Sequence, residues 1–180
     1  GSGTLLIEAA CMALGRAPGL DHRFALELWP DFNGQLWNEA LDQAGQGERD
    51  RLVDGSPLAA VQGVELDGEV AEQAQANAQA AGVDSAVSIQ CGDFRNFEPP
   101  AGPGVLVCNP PYGERIGEHH ELEQLYADLG RMVKERCSGW DFWLLSGNPE
   151  LTGALRMKAS RRVPVSNGGI DCRWLHYTIR

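Results

Sequence analysis

Apolar residues recur at helical spacing over Leu5, Leu6, Ala9, Ala10, Met12 and Ala13, and the run meets Gly15 and Pro18, which predicts a helix ending near Gly15. Residues 16–57 carry Trp29, Phe32 and Trp37 among polar side chains and leave through Asp54-Gly55-Ser56-Pro57, the pattern of a partly helical insertion. Leu58 to Leu66 reads as a strand, and Gly68 to Ala81 as an alanine-rich helix closed by Gly82. Ala86 to Cys91 is a short strand. Gly104 to Cys108 is a continuous apolar run, expected to be a strand covered on both faces. A Pro/Gly loop over 109–117 leads to a helix at Leu122 to Cys137, whose Leu122, Leu125, Tyr126, Leu129, Met132 and Val133 share one face. Trp140 to Ser146 is a strand and Pro149 to Leu155 a short helix. Ala159 to Val165 and Ile170 to Ile179 form a closing hairpin through a four-residue link, Ser166 to Gly169.

Strands alternating with helices imply an α/β fold with a mostly parallel sheet and right-handed crossovers, its last strand antiparallel because of the hairpin. A sheet that opens on a helix leads us to expect its first central strand to precede Gly1. With 180 residues the expectation is one domain spanning 1–180.

Composition changes this picture in two places. Five cysteines without a CxxC pair encode neither a disulfide framework nor a zinc ribbon, which we read as a reducing, cytoplasmic setting. No window approaches the ~18 consecutive apolar residues of a membrane span. The net charge of −10 argues against a polyanionic partner, but it is unevenly placed. Residues 1–100 carry 5 basic and 16 acidic side chains, and residues 101–180 carry 10 and 9, so an anion-facing surface is expected in the second half.

The sharpest chemical signal is Asn109-Pro110-Pro111-Tyr112, directly after Val105-Leu106-Val107. Ligands of doubly wound sheets lie beyond the carboxyl ends of their strands. The tetrapeptide suits the task of holding a planar exocyclic amine, whose lone pair is delocalised into its ring. The Asn109 side-chain oxygen and the Pro110 carbonyl can accept the amine's N–H groups, two prolines make those acceptors rigid, and Tyr112 can stack on the base. Gly1-Ser2-Gly3-Thr4 at a helix start permits close approach of a ligand to the backbone. Glu65 at a strand end could accept both hydroxyls of a ribose, with Asp67 beside it as a helix N-cap. Asp93 could accept from an adenine amino group while Phe94 covers the ring. His119-His120 lacks a third ligand at usable spacing and reads as solvated surface, without a metal. Arg156, Lys158, Arg161 and Arg162 form a basic cluster that is either an ordinary exposed face or a nucleic-acid contact.

These features together resemble the RlmL family of bacterial 23S rRNA guanine-N2 methyltransferases. The resemblance rests on Gly-Ser-Gly-Thr before Leu-Leu-Ile-Glu-Ala-Ala, Asn-Pro-Pro-Tyr-Gly-Glu-Arg at 109–115, Leu125-Tyr126 to Leu129-Gly130, Gly147-Asn148-Pro149-Glu150-Leu151 and Asn167-Gly168-Gly169-Ile170-Asp171-Cys172. It implies a Rossmann-like class I fold dependent on S-adenosylmethionine. It further implies that Gly1, Ser2 and Gly3 form the cofactor loop, that Glu65 with Leu66 meets the ribose, that Asp93 and Phe94 meet the adenine, and that Asn109, Pro110, Pro111 and Tyr112 hold the target base, Asn109 also grazing the cofactor. 23S rRNA is the implied partner. The resemblance also implies an N-terminal THUMP module in the full-length chain, and some family members carry a second methyltransferase domain after the last strand. The same tetrapeptide serves N6-adenine methylation of DNA and guanine-N2 methylation of tRNA, and a non-catalytic RNA-binding module is the alternative of another class. Where RNA approaches follows from strand direction: the hairpin turn should project from the edge carrying Asn109, so that Arg115, Asn167 and one of Arg161 or Arg162, which point to opposite faces, border the base pocket.

Overall fold

The computed structural model describes residues 1–20, 22–54, 60–112 and 119–180, which fall into two compact units, Gly1–Asp93 and Phe94–Arg180. In the first unit, α1 (Thr4–Leu14) and α2 (Gly34–Asp54) precede β1 (Val61–Glu65), α3 (Gly68–Ala80) and β2 (Val87–Cys91). The partly helical insertion expected over 16–57 holds a 21-residue helix, started by Asn33, whose Oδ1 accepts from the Gln35 and Leu36 amides at 3.1 Å each. The start expected for the first strand, residues 58–59, lies outside the described residues. β1 and β2 pair in parallel from Val61↔Val87 to Glu65↔Cys91, so both strands end at one edge. The α3 face of Ala71, Ala74 and Ala78 is buried, and Ala10, Leu14, Ala78 and Val83 form the small core. Alanines here permit close packing of backbone on backbone. The end of α1 is tied to α2 by Arg16, which donates to Glu48 Oε1 at 2.7 Å.

In the second unit, β3 (Val105–Cys108), α4 (His119–Arg136), β4 (Asp141–Ser146), α5 (Pro149–Ala154), β5 (Arg161–Asn167) and β6 (Ile170–Thr178) build a four-stranded sheet in the order β3-β4-β6-β5. β3 and β4 are parallel, and β6 runs antiparallel to both β4 and β5. The carboxyl ends of β3, β4 and β5 therefore share one edge. Tyr126, Leu129, Met132 and Val133 of α4, with Leu151 of α5 and the following Leu155, pack on Phe142, Leu144, Leu175 and Tyr177, which point to one sheet face. Completely burying such side chains stabilises by about 1.5–3 kcal/mol each.

Two expectations need correction. β3 alternates rather than being buried on both faces: Leu106 and Cys108 pack on the core, while Val105 is 60% and Val107 43% exposed, as successive side chains point to opposite faces. The hairpin link is two residues, not four. Gly168 (φ 59°) and Gly169 (φ 83°) both take left-handed backbone, which makes the tight turn, and leaves Ser166 and Asn167 paired with Asp171 and Ile170.

At the opposite sheet edge, His176 bridges Ser160 Oγ (2.9 Å) and Asp141 Oδ1 (2.7 Å). The Ser160 hydroxyl also lies 3.0 Å from the His176 carbonyl, so this row braces β4, β6 and the entry to β5.

A short turn at Phe94–Asn96 is held to α4 by Arg95, whose Nε donates to Asp128 Oδ2 at 2.8 Å; Gln124 and Arg131 also donate to that carboxylate. The Arg95 contact, with Gln124 and Arg131, holds the Asp128 carboxyl below its ordinary range. A depressed folded-state pKa means that this contribution to stability is complete above the unfolded carboxylate value of about 3.9 and is lost as pH falls through the lower, folded one. Asp128→Asn is accordingly expected to lower the urea midpoint at neutral pH and to converge with wild type in acid. A constant difference between the two proteins down to pH 2 would contradict this.

Candidate active site

In the first unit, Gly3 sits before α1 with φ 84°, a left-handed conformation, and an added Cβ would meet the Ala74 Cβ at 3.1 Å and the Ala74 carbonyl oxygen at 3.3 Å. Only glycine satisfies both conditions. Asn77 donates to the Ser2 carbonyl at 2.9 Å, tying the turn to α3. No side chain caps α1, so its first amides remain available as donors. The turn also meets the end of β1, where Gly1 lies against Glu65. Glu65 Oε1 accepts from the Asp67 amide at 3.1 Å. Partial burial raises the Glu65 pKa, and the Asp67 and Leu66 amides, which donate to the carboxylate, lower it. It is therefore an ionised, acceptor-only group at neutral pH. Leu66 is 71% exposed, and Asp67 caps α3, accepting from Glu69 and Val70 at 2.9 and 3.2 Å. Asp93, two residues beyond the end of β2, lies half-buried at the same edge. The glycine turn, Glu65 and Asp93 thus gather at the carboxyl edge of two parallel strands.

The second unit holds the other group of residues. Asn109 follows β3 directly and is exposed, Pro110 is buried, Pro111 is exposed and Tyr112 is half-buried against the core. Tyr112 is anchored from the hairpin. Asn167 Nδ2 donates to its hydroxyl at 2.9 Å, and Cys172 Sγ lies 3.7 Å from the same oxygen. The Cys172 thiol and burial push the phenol pKa up against the opposing Asn167 contact, so Tyr112 stays protonated. Gly147, just after β4, completes the seat: a Cβ there would lie 3.3 Å from each of Tyr112 Cδ2, Cys172 Sγ and Ile170 Cγ2. Beneath, Tyr126 is fully buried, and burial pushes its pKa up to about 12.

Asn167, expected to border the base pocket and contact RNA, donates through its amide nitrogen to the Tyr112 hydroxyl. The contributions of Gly147 and Cys172 were missed, although both lie in segments quoted for the resemblance. Phe94 belongs to the second unit, where it packs against the core beneath the Arg95 guanidinium, 5.0 Å from the ring centroid. Arg115 lies outside the described residues. Arg161 pairs with His176 and Arg162 with Leu175, which places the two on opposite sheet faces, and the hairpin turn does project from the edge that carries Asn109. His119 and His120 are exposed, His119 lying 3.6 Å from Glu150, and no three metal-ligating side chains gather among the described residues.

The family profile of the RMKL-like methyltransferase domain, UPF0020, matches residues 1–176. This chain belongs to that family. A Synechocystis sp. protein assigned by name to the RNA methyltransferases is 42% identical over 180 residues, 99% of this chain and 46% of its own length. Ribosomal RNA large subunit methyltransferase K/L of a Shewanella species is 40% identical, again over 99% of this chain but 25% of its own. The chain therefore spans less than half of these relatives. Among solved structures, SMU.472, of methyltransferase type and complexed with SAH, superposes with a TM-score of 0.89 over all of this chain and 46% of its own, at 28% identity. The RMKL-like domain accordingly has the Rossmann-like class I methyltransferase fold that the family resemblance implies, and no described helix is long and apolar enough to cross a membrane.

Proposed function

We propose that this RMKL-like domain transfers a methyl group from S-adenosylmethionine to the exocyclic N2 of a guanine in 23S rRNA. The observation that carries the reading is the seat of Tyr112: a buried Pro110, the Asn167 donor and the Gly147 gap fix the loop after β3, leaving Asn109 exposed at a strand end. The first unit fits the cofactor's adenosine, because Glu65 is an ionised acceptor beside a glycine turn and an uncapped helix start.

The cofactor supplies an electrophilic methyl group on a positively charged sulfur. Asn109 Oδ1 and the Pro110 carbonyl accept the two N–H groups of the base, which moves the nitrogen toward tetrahedral geometry, withdraws its lone pair from the ring and disperses the positive charge that develops as the amine takes the methyl group from sulfur; one amine proton is then lost to solvent. Tyr112, neutral and held from the hairpin, offers its face to the base. The amine of a paired guanine cannot reach these acceptors in the stack, so the base must be flipped out.

The test is transfer of labelled methyl groups by the full-length protein to deproteinised 23S rRNA, tRNA and DNA, with nucleoside analysis of the product. Label in N2-methylguanosine from 23S rRNA is expected. Label confined to N6-methyladenine in DNA, or to tRNA, would replace the substrate, and no transfer to any of the three would favour the non-catalytic alternative.

Glu65→Ala is expected to weaken binding of S-adenosylhomocysteine, measured by calorimetry, by roughly ten- to hundredfold, because bonds to a charged acceptor contribute about 1.5–3 kcal/mol. Unchanged affinity would place the ribose elsewhere.

A further inference from the structure

A groove runs along the second unit between α5 and the β5–β6 hairpin. It consists of two contiguous cavities, of about 520 and 290 Å³, whose linings share Ser146, Pro149 and Arg173. The larger opens at the sheet edge that carries Asn109, and its wall includes Gly147 and Cys172, which border Tyr112. The smaller continues past Thr152 to Arg162.

Strand register explains why the two arginines meet here. Arg162 pairs with Leu175 and Arg173 with Pro164, so they are diagonal neighbours on one sheet face, within reach of a single strand of ligand. Both are exposed, and neither is held in an ion pair among the described residues. Asp171 at the near mouth is the one acidic side chain in the lining. The surroundings share this bias: residues 149–180 carry six basic and two acidic side chains, a net of +4, against −14 for the 148 residues before them. A long groove with hydroxyls on its walls and two guanidinium groups along its floor matches a chain of phosphates better than a compact apolar ligand.

We infer that this groove holds the phosphate backbone of the RNA strand next to the flipped base, with Arg173 at the sheet edge that carries Asn109 and Arg162 further along the strand. The inference rests on the proposed RNA methyltransferase activity and adds to it the path of the substrate. Arg161, on the other sheet face, has no part in it.

The test uses the full-length protein with deproteinised 23S rRNA as probe, comparing wild type with Arg162→Gln, Arg173→Gln, the double variant and Arg161→Gln across a salt series. Each groove arginine removed is expected to reduce the slope of log K against log salt by about 0.7–0.9, and the double variant by about twice that, while Arg161→Gln keeps the wild-type slope. S-adenosylhomocysteine affinity should stay unchanged in all four, because none of these arginines belongs to the unit that carries the adenosine residues. A short single-stranded RNA should compete with the probe far better than inorganic phosphate at equal phosphate concentration. A wild-type slope in the double variant, an equal loss in Arg161→Gln, or equal competition by free phosphate would overturn the groove assignment. Failure of the underlying reading has a different signature, namely no methyl transfer to RNA by the wild type, whereas failure of the groove alone leaves the wild type active.

Discussion

Asn109→Ala is expected to lose at least a hundredfold in methyl transfer while its affinity for S-adenosylhomocysteine stays within a few-fold of wild type. The side chain is exposed at the end of β3, on a loop whose next residue is buried and whose aromatic is anchored through Asn167, so removing the amide should leave the loop in place. What disappears is one preorganised acceptor facing the nitrogen that gains positive charge in the transition state. Loss of a single such group, by analogy with oxyanion-hole donors, costs about 2.7–4 kcal/mol, or roughly two to three orders of magnitude in rate. The kinetic signature matters as much as the size. An acceptor whose bond strengthens as charge develops lowers kcat more than it raises KM. Single-turnover transfer to 23S rRNA separates the two, and a variant with near-normal single-turnover rate would remove Asn109 from the chemistry.

The parts of this site that were legible in the sequence are those in which backbone and chemistry coincide within a few residues. A continuous apolar strand followed by Asn-Pro-Pro-Tyr announces both a strand end and a rigid acceptor, and Gly-Ser-Gly before an amphipathic run announces a helix start. Long-range seats were not legible. The Asn167 to Tyr112 bond joins residues 55 apart in sequence, and it forms because β5 runs on to Asn167 before a two-glycine turn. Reading Ser166 to Gly169 as one loose link hid that register. Gly147 posed the same difficulty: nothing local distinguishes a glycine required by a tyrosine from one that merely ends a strand. Burial of β3 was overestimated for a related reason, since an apolar run records what a strand can bury on each face, and only packing decides which faces are covered.

Gly130→Ala is expected to destabilise the protein, although α4 is a helix and alanine is the better helix former by about 0.8–1 kcal/mol. Gly130 lies on the buried face of α4, between Leu129 and Met132. A Cβ placed on it would fall 2.5 Å from the Leu155 carbonyl oxygen, 2.8 Å from its Cα and 3.0 Å from its carbonyl carbon. All three are backbone atoms, so no rotamer change can relieve the overlap, and the exit of α5 would have to move as a body. Leu155 is fully buried, and Lys134 donates to the same carbonyl at 3.3 Å, so that movement opens the core and strains a second contact. Overpacking of a filled core costs about 1–3 kcal/mol, and the rigid neighbour places this case at the upper end. With a urea m-value of about 1–3 kcal/mol per molar, the midpoint should fall by roughly 1 M or more at unchanged slope. Gly153→Ala in α5 is the matched control, because its Cβ would meet nothing within 4 Å, and there the helical preference should emerge as a small gain. If Gly130→Ala were instead as stable as Gly153→Ala, the close approach of α4 to Leu155 would not be the constraint that keeps residue 130 without a side chain.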